Sequence, residues 1–138
     1  MRMSMLSRRL APLFAAPLAT APVAAAGPLP PDSILLLVAS WCVPCHGEVA
    51  RLDELQAAAG HVVVRVVPYD GRPAHKRMLA RVDPARVTAS SAIVAALASR
   101  TPALPYSVMT DANGRICADH ARALDVEAVR TMRRRCAG

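Results

Sequence analysis

The chain has 138 residues, room for one ordinary domain, with 17 Lys and Arg against 10 Asp and Glu and only one Trp, two Tyr and one Phe. So few aromatic rings exclude the stacking platforms that hold single-stranded bases, and the basic excess does not call for a nucleic-acid partner. Four cysteines, two of them spaced Cys-x-x-Cys, make sulfur chemistry the first question.

Residues 1–9 carry Arg2, Arg8 and Arg9 and no acid, and residues 10–26 are uncharged and rich in Ala, Leu and Pro, closing on Ala24-Ala25-Ala26. This is the layout of a secretory signal peptide, with cleavage expected near Ala26, the domain at 27–138 and the periplasm as destination. A retained anchor is the other reading. Pro12, Pro17 and Pro22 oppose it, and the run falls short of the roughly 20 apolar residues of a spanning helix. Cleavage would remove three arginines, leaving 14 basic residues against 10 acidic ones, a charge of about +4.

Residues 33–39 are almost continuously apolar and predict a strand buried on both faces. A helix is expected to open at Cys42, with Val49, Leu52, Leu55 and Ala59 as its core stripe and Gly60 as its stop. Residues 61–67 are β-branched and read as the next strand, ended by a turn at 68–71. A short helix is expected within 73–82, then a second one capped by Thr88 and running to about Leu97 with Ile93, Val94 and Leu97 as its apolar face. Residues 105–110 read as extended, Asp111-Ala112-Asn113-Gly114 as a turn, and 115–118 as the returning strand. Asp125 caps a last helix with Val126, Val129 and Met132 inward, and Arg133-Arg134-Arg135 reads as its solvated end. Helices alternating with strands predict an α/β fold, a small sheet covered on both faces.

The chemistry centres on Trp41-Cys42-Val43-Pro44-Cys45-His46. Cys42, at the exposed start of a helix, has free backbone N–H groups to stabilise a thiolate and is the expected nucleophile. Cys45, one turn further along the same face, resolves a mixed disulfide by intramolecular attack. Trp41 offers a flat apolar surface to a peptide, and Pro44 suits a first helical turn, where its missing N–H costs nothing. His46 has two readings, a cation that tunes the thiolate or a solvated helix residue. No metal spacing links His61, His75 and His120, and a four-cysteine zinc site would need a second Cys-x-x-Cys that is absent, so no metal is assigned. Cys117 and Cys136 are either a structural disulfide between the last strand and last helix or two unpaired thiols.

These residues resemble the thioredoxin-like superfamily over nearly all of residues 33–135. Trp41 to Cys45 has the family's Trp-Cys-x-Pro-Cys form, and Leu104-Pro105 matches its cis-proline position, with an ordinary trans proline as the alternative. The stretch from Leu104 through Asp111-Ala112-Asn113-Gly114-Arg115-Ile116 is most similar to exported bacterial thiol-disulfide proteins, in the branch of the reductases serving cytochrome c maturation. The resemblance implies a central mixed sheet of about four strands flanked by helices. It implies disulfide exchange with protein substrates through Cys42 and Cys45, more reductase than strong oxidase. Trp41, Val43, Pro44, Leu104 and Pro105 then form the substrate edge. No cofactor is needed, since the dithiol is itself the redox group. Recycling calls for a membrane partner with its own cysteine pair, and the protein is expected to be monomeric. The chain departs from the pattern at Leu36, where cytosolic thioredoxins carry a buried carboxylate. Glu48 is a candidate replacement, although a solvated face is the preferred reading for it. Val43-Pro44 matches neither the thioredoxin dipeptide nor that of the strong oxidases. The alternative function is a copper-binding metallochaperone of the same fold, since two thiolates suit Cu(I).

Overall fold

Strand β1 (Ser33–Val38) is buried over all six residues. Its side chains divide by parity, as the pleat requires. Ile34, Leu36 and Val38 enter one apolar cluster, while Leu35 and Leu37 enter the other. The continuous apolar run is therefore the signature of a central strand covered on both faces. Truncating Leu36 to Ala would cost about 2–5 kcal/mol.

A computed structural model describes residues 29–138, and the expected signal segment 1–26 lies outside them. After β1 come α1 (Val43–Ala50), α2 (Leu52–Ala59), β2 (Val63–Pro68), α3 (Pro73–Met78), a single 3-10 turn at Pro84–Arg86, α4 (Ser91–Ala98), β3 (Tyr106–Thr110), β4 (Ile116–His120) and α5 (Val126–Ala137). The sheet order is β2-β1-β3-β4. β1 pairs parallel to β2 and antiparallel to β3, and β3 pairs antiparallel to β4, so the sheet is mixed and four-stranded. Val49, Leu52, Leu55, Val129 and Met132, from α1, α2 and α5, cover one face; Leu97 of α4, with Ile93 and Val94, covers the other. Among the described residues no helix is long and apolar enough to cross a membrane.

Several boundaries differ from expectation. The helix expected from Cys42 to Ala59 is two segments, because Arg51 departs from helical geometry and its N–H bonds the Glu48 carbonyl in a tighter turn. The Arg51 guanidinium then reaches the Leu124 carbonyl at 3.4 Å. Residues 61 and 62 do not join β2. The chain leaves α2 through Gly60 at φ +65°, and the Gln56 side chain bonds Val62 O and Val64 N, both at 2.9 Å, on either side of the first ladder residue. Thr88 is not a helix cap. Its N–H donates to Val66 O at 2.8 Å along a short extension of the sheet edge, and Ser90 caps α4 instead, its Oγ accepting from Ile93 N. Residues 79–82 are turns beyond α3. The Asp111 carboxylate organises the hairpin by accepting from Asn113 N and Arg115 N, and these two bonds hold its carboxyl below the usual range. Asp125 caps α5, its carboxylate accepting from Ala128 N at 2.7 Å.

Candidate active site

The loop leaving β1 places Cys42 as the N-cap of α1, with Pro44 in the first turn. Cys42 and Cys45 are joined in a disulfide with Cα atoms 5.3 Å apart. The helix start is not the open position its sequence suggested. Cys42 is only 4% exposed and Cys45 is fully enclosed, so what access the pair has is through Cys42. Trp41 and Val43 flank the bridge and are 55% and 80% exposed, a large apolar rim around a nearly closed disulfide.

The Leu104–Pro105 peptide bond is cis and directly precedes β3. The last pair of the β1–β3 ladder is Leu37 with Tyr106, so Pro105 sits at the end of the sheet from which the Cys42 loop departs. Leu104 packs on the cluster that holds both cysteines. Together with Trp41 and Tyr69 it also lines an apolar recess of about 140 Å³. The fold thus joins Trp41 and Leu104, 63 positions apart, in one concavity beside the bridge.

Ser40 anchors the loop. Its N–H and Oγ–H both donate to the Asp70 carboxylate, at 3.0 and 2.6 Å. Burial pushes the Asp70 carboxyl up, but these bonds and the neighbouring His75 outweigh it and leave it below the usual range. The buried His75 donates from Nδ1 to the Asp70 backbone carbonyl. His46 Nε2–H donates to the Ser40 carbonyl at 2.8 Å from an exposed position. The Cys42 loop is therefore tied on one side to the end of β2 and on the other to its own helix.

Glu48 corrects the sequence reading. It does not lie on a solvated face; it is fully buried. Oε1 accepts from Leu124 N, in the loop before α5, and Oε2 has no partner among the described residues. Burial is the main cause that raises its carboxyl from 4.5 to about 7, against smaller opposing pulls from the Leu124 N–H and Arg51. Glu48 follows Cys45 by three positions, so the two side chains share a helical face. Leu36, where a carboxylate was missed, is buried among apolar groups.

Cys117 of β4 and Cys136 of α5 are bonded, with Cα atoms 5.1 Å apart, and no cysteine is free among the described residues. No group of three or more His, Cys, Asp or Glu side chains converges as a metal site among those residues. Sequence reasoning passed over Ser40, Asp70 and the burial of Glu48. Only Glu48 left a signal, since it falls four positions before Leu52 on the inward stripe.

No protein-family model and no curated protein matches this sequence. Solved structures do. DsbF of Mycobacterium tuberculosis, solved in mixed oxidised and reduced forms, superposes with a TM-score of 0.57 at 21% identity, covering 76% of this chain and 78% of that one. The exposed lipoprotein thioredoxin Etrx1 of Streptococcus pneumoniae gives 0.55 at 22% identity, over 74% and 83%. A secreted disulfide oxidoreductase of M. tuberculosis gives 0.52 at 18% identity, over 76% and 79%. The fold is thioredoxin-like.

Proposed function

We propose that this chain is an exported thiol-disulfide oxidoreductase that works on cysteines of other proteins. The observation that carries the reading is the Cys42–Cys45 disulfide at the N-terminus of α1, with its residual access confined to Cys42. In the reducing direction the Cys42 thiolate attacks one sulfur of a substrate disulfide. That S–S bond breaks, a mixed disulfide forms, and the first substrate thiolate leaves and takes up a proton. Cys45 then passes its proton to Glu48 and attacks Cys42 Sγ, releasing the second substrate thiolate. Two electrons move from the Cys42/Cys45 dithiol to the substrate, and a membrane partner with a cysteine pair restores them.

The other site residues take supporting roles. Trp41, Val43 and Pro44 form one lip of a substrate groove, and Leu104 and Pro105 form the other. The Trp41–Leu104 recess accepts a small apolar side chain of an extended substrate. Asp70 and His46 hold the Cys42 loop through Ser40. Cys117–Cys136 is a structural bridge, which agrees with an oxidising compartment. Residues 1–26 act as a cleaved export signal, the domain works in the periplasm, and it works as a monomer. That one of the superposed proteins is an exposed lipoprotein and another is secreted supports this placement.

Insulin reduction by the full chain with dithiothreitol present tests the activity. Acceleration that is lost in Cys42→Ser and in Cys45→Ser is expected. No acceleration over dithiothreitol alone, together with stoichiometric Cu(I) uptake, overturns the reading. The Cys42–Cys45 reduction potential tests direction: a value nearer thioredoxin's, about −270 mV, than DsbA's, about −120 mV, supports the reductase.

A further inference from the structure

A recess of about 650 Å³ runs beside the active-site helix, within the range of pockets that hold ligands. Its walls come from α1 and α2 on one side and from α3 and the segment after it on the other. His46, next to Cys45, lines one end, so the recess borders the disulfide site. Val49, Leu52, Met78 and Val82 supply apolar wall, and Arg77 and Arg81 are exposed at its edge.

Basic residues outnumber acidic ones along the wall that follows α3. Between positions 72 and 86 the chain carries Arg72, Lys76, Arg77, Arg81 and Arg86 against the single acid Asp83. Arg86 is committed: it binds Asp53 at 2.9 Å and the carbonyls of Leu52 and Val64. Asp83 is committed too, its carboxylate accepting from Ala85 N at 2.9 Å. Arg77 and Arg81 have no ion-pair partner among the described residues. Of the acids nearest the site, Glu48 is buried and Asp70 is occupied by Ser40. Asp83 and the Arg86-paired Asp53 also line the recess, so three arginines there face two aspartates, and Arg77 and Arg81 are its two cations without an ion-pair partner among the described residues.

We infer that the recess docks an acidic polypeptide segment of the protein that exchanges disulfides at Cys42, with an apolar side chain seated between carboxylates that meet Arg77 and Arg81. The inference rests on the proposed thiol-disulfide exchange and names its partner's chemistry. A concave wall that mixes apolar and charged side chains favours a peptide over a lipid surface. Carboxylates approaching Arg77 and Arg81 steer the encounter, so the effect falls on association and weakens with salt.

The test uses the full chain with dithiothreitol, which supplies the two electrons each turnover passes to a peptide disulfide. Three synthetic peptides share one disulfide and differ only in a flanking segment, which is acidic around a Leu, neutral, or basic. Bis(2-hydroxyethyl) disulfide is the uncharged control. At about 20 mM salt, kcat/KM on the acidic peptide is expected to exceed that on the neutral one about tenfold, and the gap closes near about 0.5 M. The Arg77→Glu/Arg81→Glu variant removes the preference and leaves turnover of the small control within about twofold. Equal rates on the acidic and neutral peptides, or a preference that survives the double variant, overturn the inference. Sedimentation with phosphatidylglycerol vesicles that needs both arginines, without any peptide preference, overturns it in favour of a membrane. If even the small disulfide is not turned over, the exchange reading fails instead. Fluorescence anisotropy of a cysteine-free acidic peptide on the oxidised chain then still decides: binding lost in the double variant supports the recess, and equal binding overturns it.

Discussion

Replacing Glu48 with Gln separates the two consequences of a buried carboxyl beside a redox pair. The wild-type carboxyl is raised from 4.5 to about 7 in the folded chain. Below pH 4.5 the folded and unfolded chains both hold the proton, and the group has no effect on stability. Between 4.5 and about 7 the unfolded chain releases the proton while the folded chain keeps it, so stability falls as pH rises. Above about 7 the loss is complete. At 1.36 kcal/mol per pH unit the shift amounts to about 3 kcal/mol. The amide of Glu48→Gln keeps an oxygen for Leu124 N but has no proton to release. Whatever fixed cost that amide adds, the stability difference between the two proteins moves by about 3 kcal/mol in favour of the Gln variant from pH 4.5 to pH 8. Urea titrations of the oxidised proteins at four or so pH values measure this directly. Parallel curves for the two proteins across that range would refute a buried, proton-holding Glu48.

The same substitution reads out catalysis. A carboxyl that titrates near 7 is suited to take the Cys45 proton at neutral pH. Glu48→Gln is expected to slow release of the mixed disulfide by about a hundredfold. It should also abolish the inflection near pH 7 in the rate of that step. Alkylation of Cys42 in the reduced protein should change far less, because the thiolate there is stabilised by the helix start. An unchanged pH profile in the variant removes Glu48 from the proton path, whatever the stability data show.

Removing the second bridge with Cys117→Ala/Cys136→Ala should cost about 3 kcal/mol by the loop-entropy argument for a separation of 19 residues, lowering Tm by something like 15 °C in a thermal melt. Under denaturing, non-reducing conditions, Cys42→Ser/Cys45→Ser should titrate no free thiol, and two free thiols would sink the bridge. Asp70→Ala leaves the Ser40 N–H and hydroxyl without their acceptor and should cost about 1–3 kcal/mol in urea titrations at pH 7. Because that carboxyl is held below its ordinary 3.8, the contribution is present above that pH and fades as the pH falls further, so wild type and variant should converge in acid. In the same titrations Gly60→Ala should cost about 1–3 kcal/mol from backbone strain at φ +65° and ψ −121°, since the added Cβ would meet only the Arg133 side chain, at 3.6 Å.

What the sequence disclosed and what it hid divide along a physical line. Ser33 to Val38 is apolar at every position after the first, so its burial on both faces follows from composition alone. Cys42, Cys45 and Asp125 carry local signals, a helix start in each case. Thr88 and Ser90 show where local rules stop. Both are competent caps, but Ser90 is the one whose Oγ accepts from a helical N–H, that of Ile93, while Thr88 is held to the sheet edge through Val66, a partner 22 positions away that no local window includes. Glu48 is the sharper case. A charged residue beside Gly47 reads as solvent-facing unless something arrives to cover it, and what arrives is the loop before α5, whose Leu124 N–H meets the carboxylate 76 positions later. Arg51 reaches the Leu124 carbonyl from the same turn. A buried acid at a thioredoxin-like site need not come from β1, where Leu36 fills the position with hydrocarbon. Here α1 supplies it three positions after Cys45, and Arg51, a further three positions on, is the cation that partly offsets its burial.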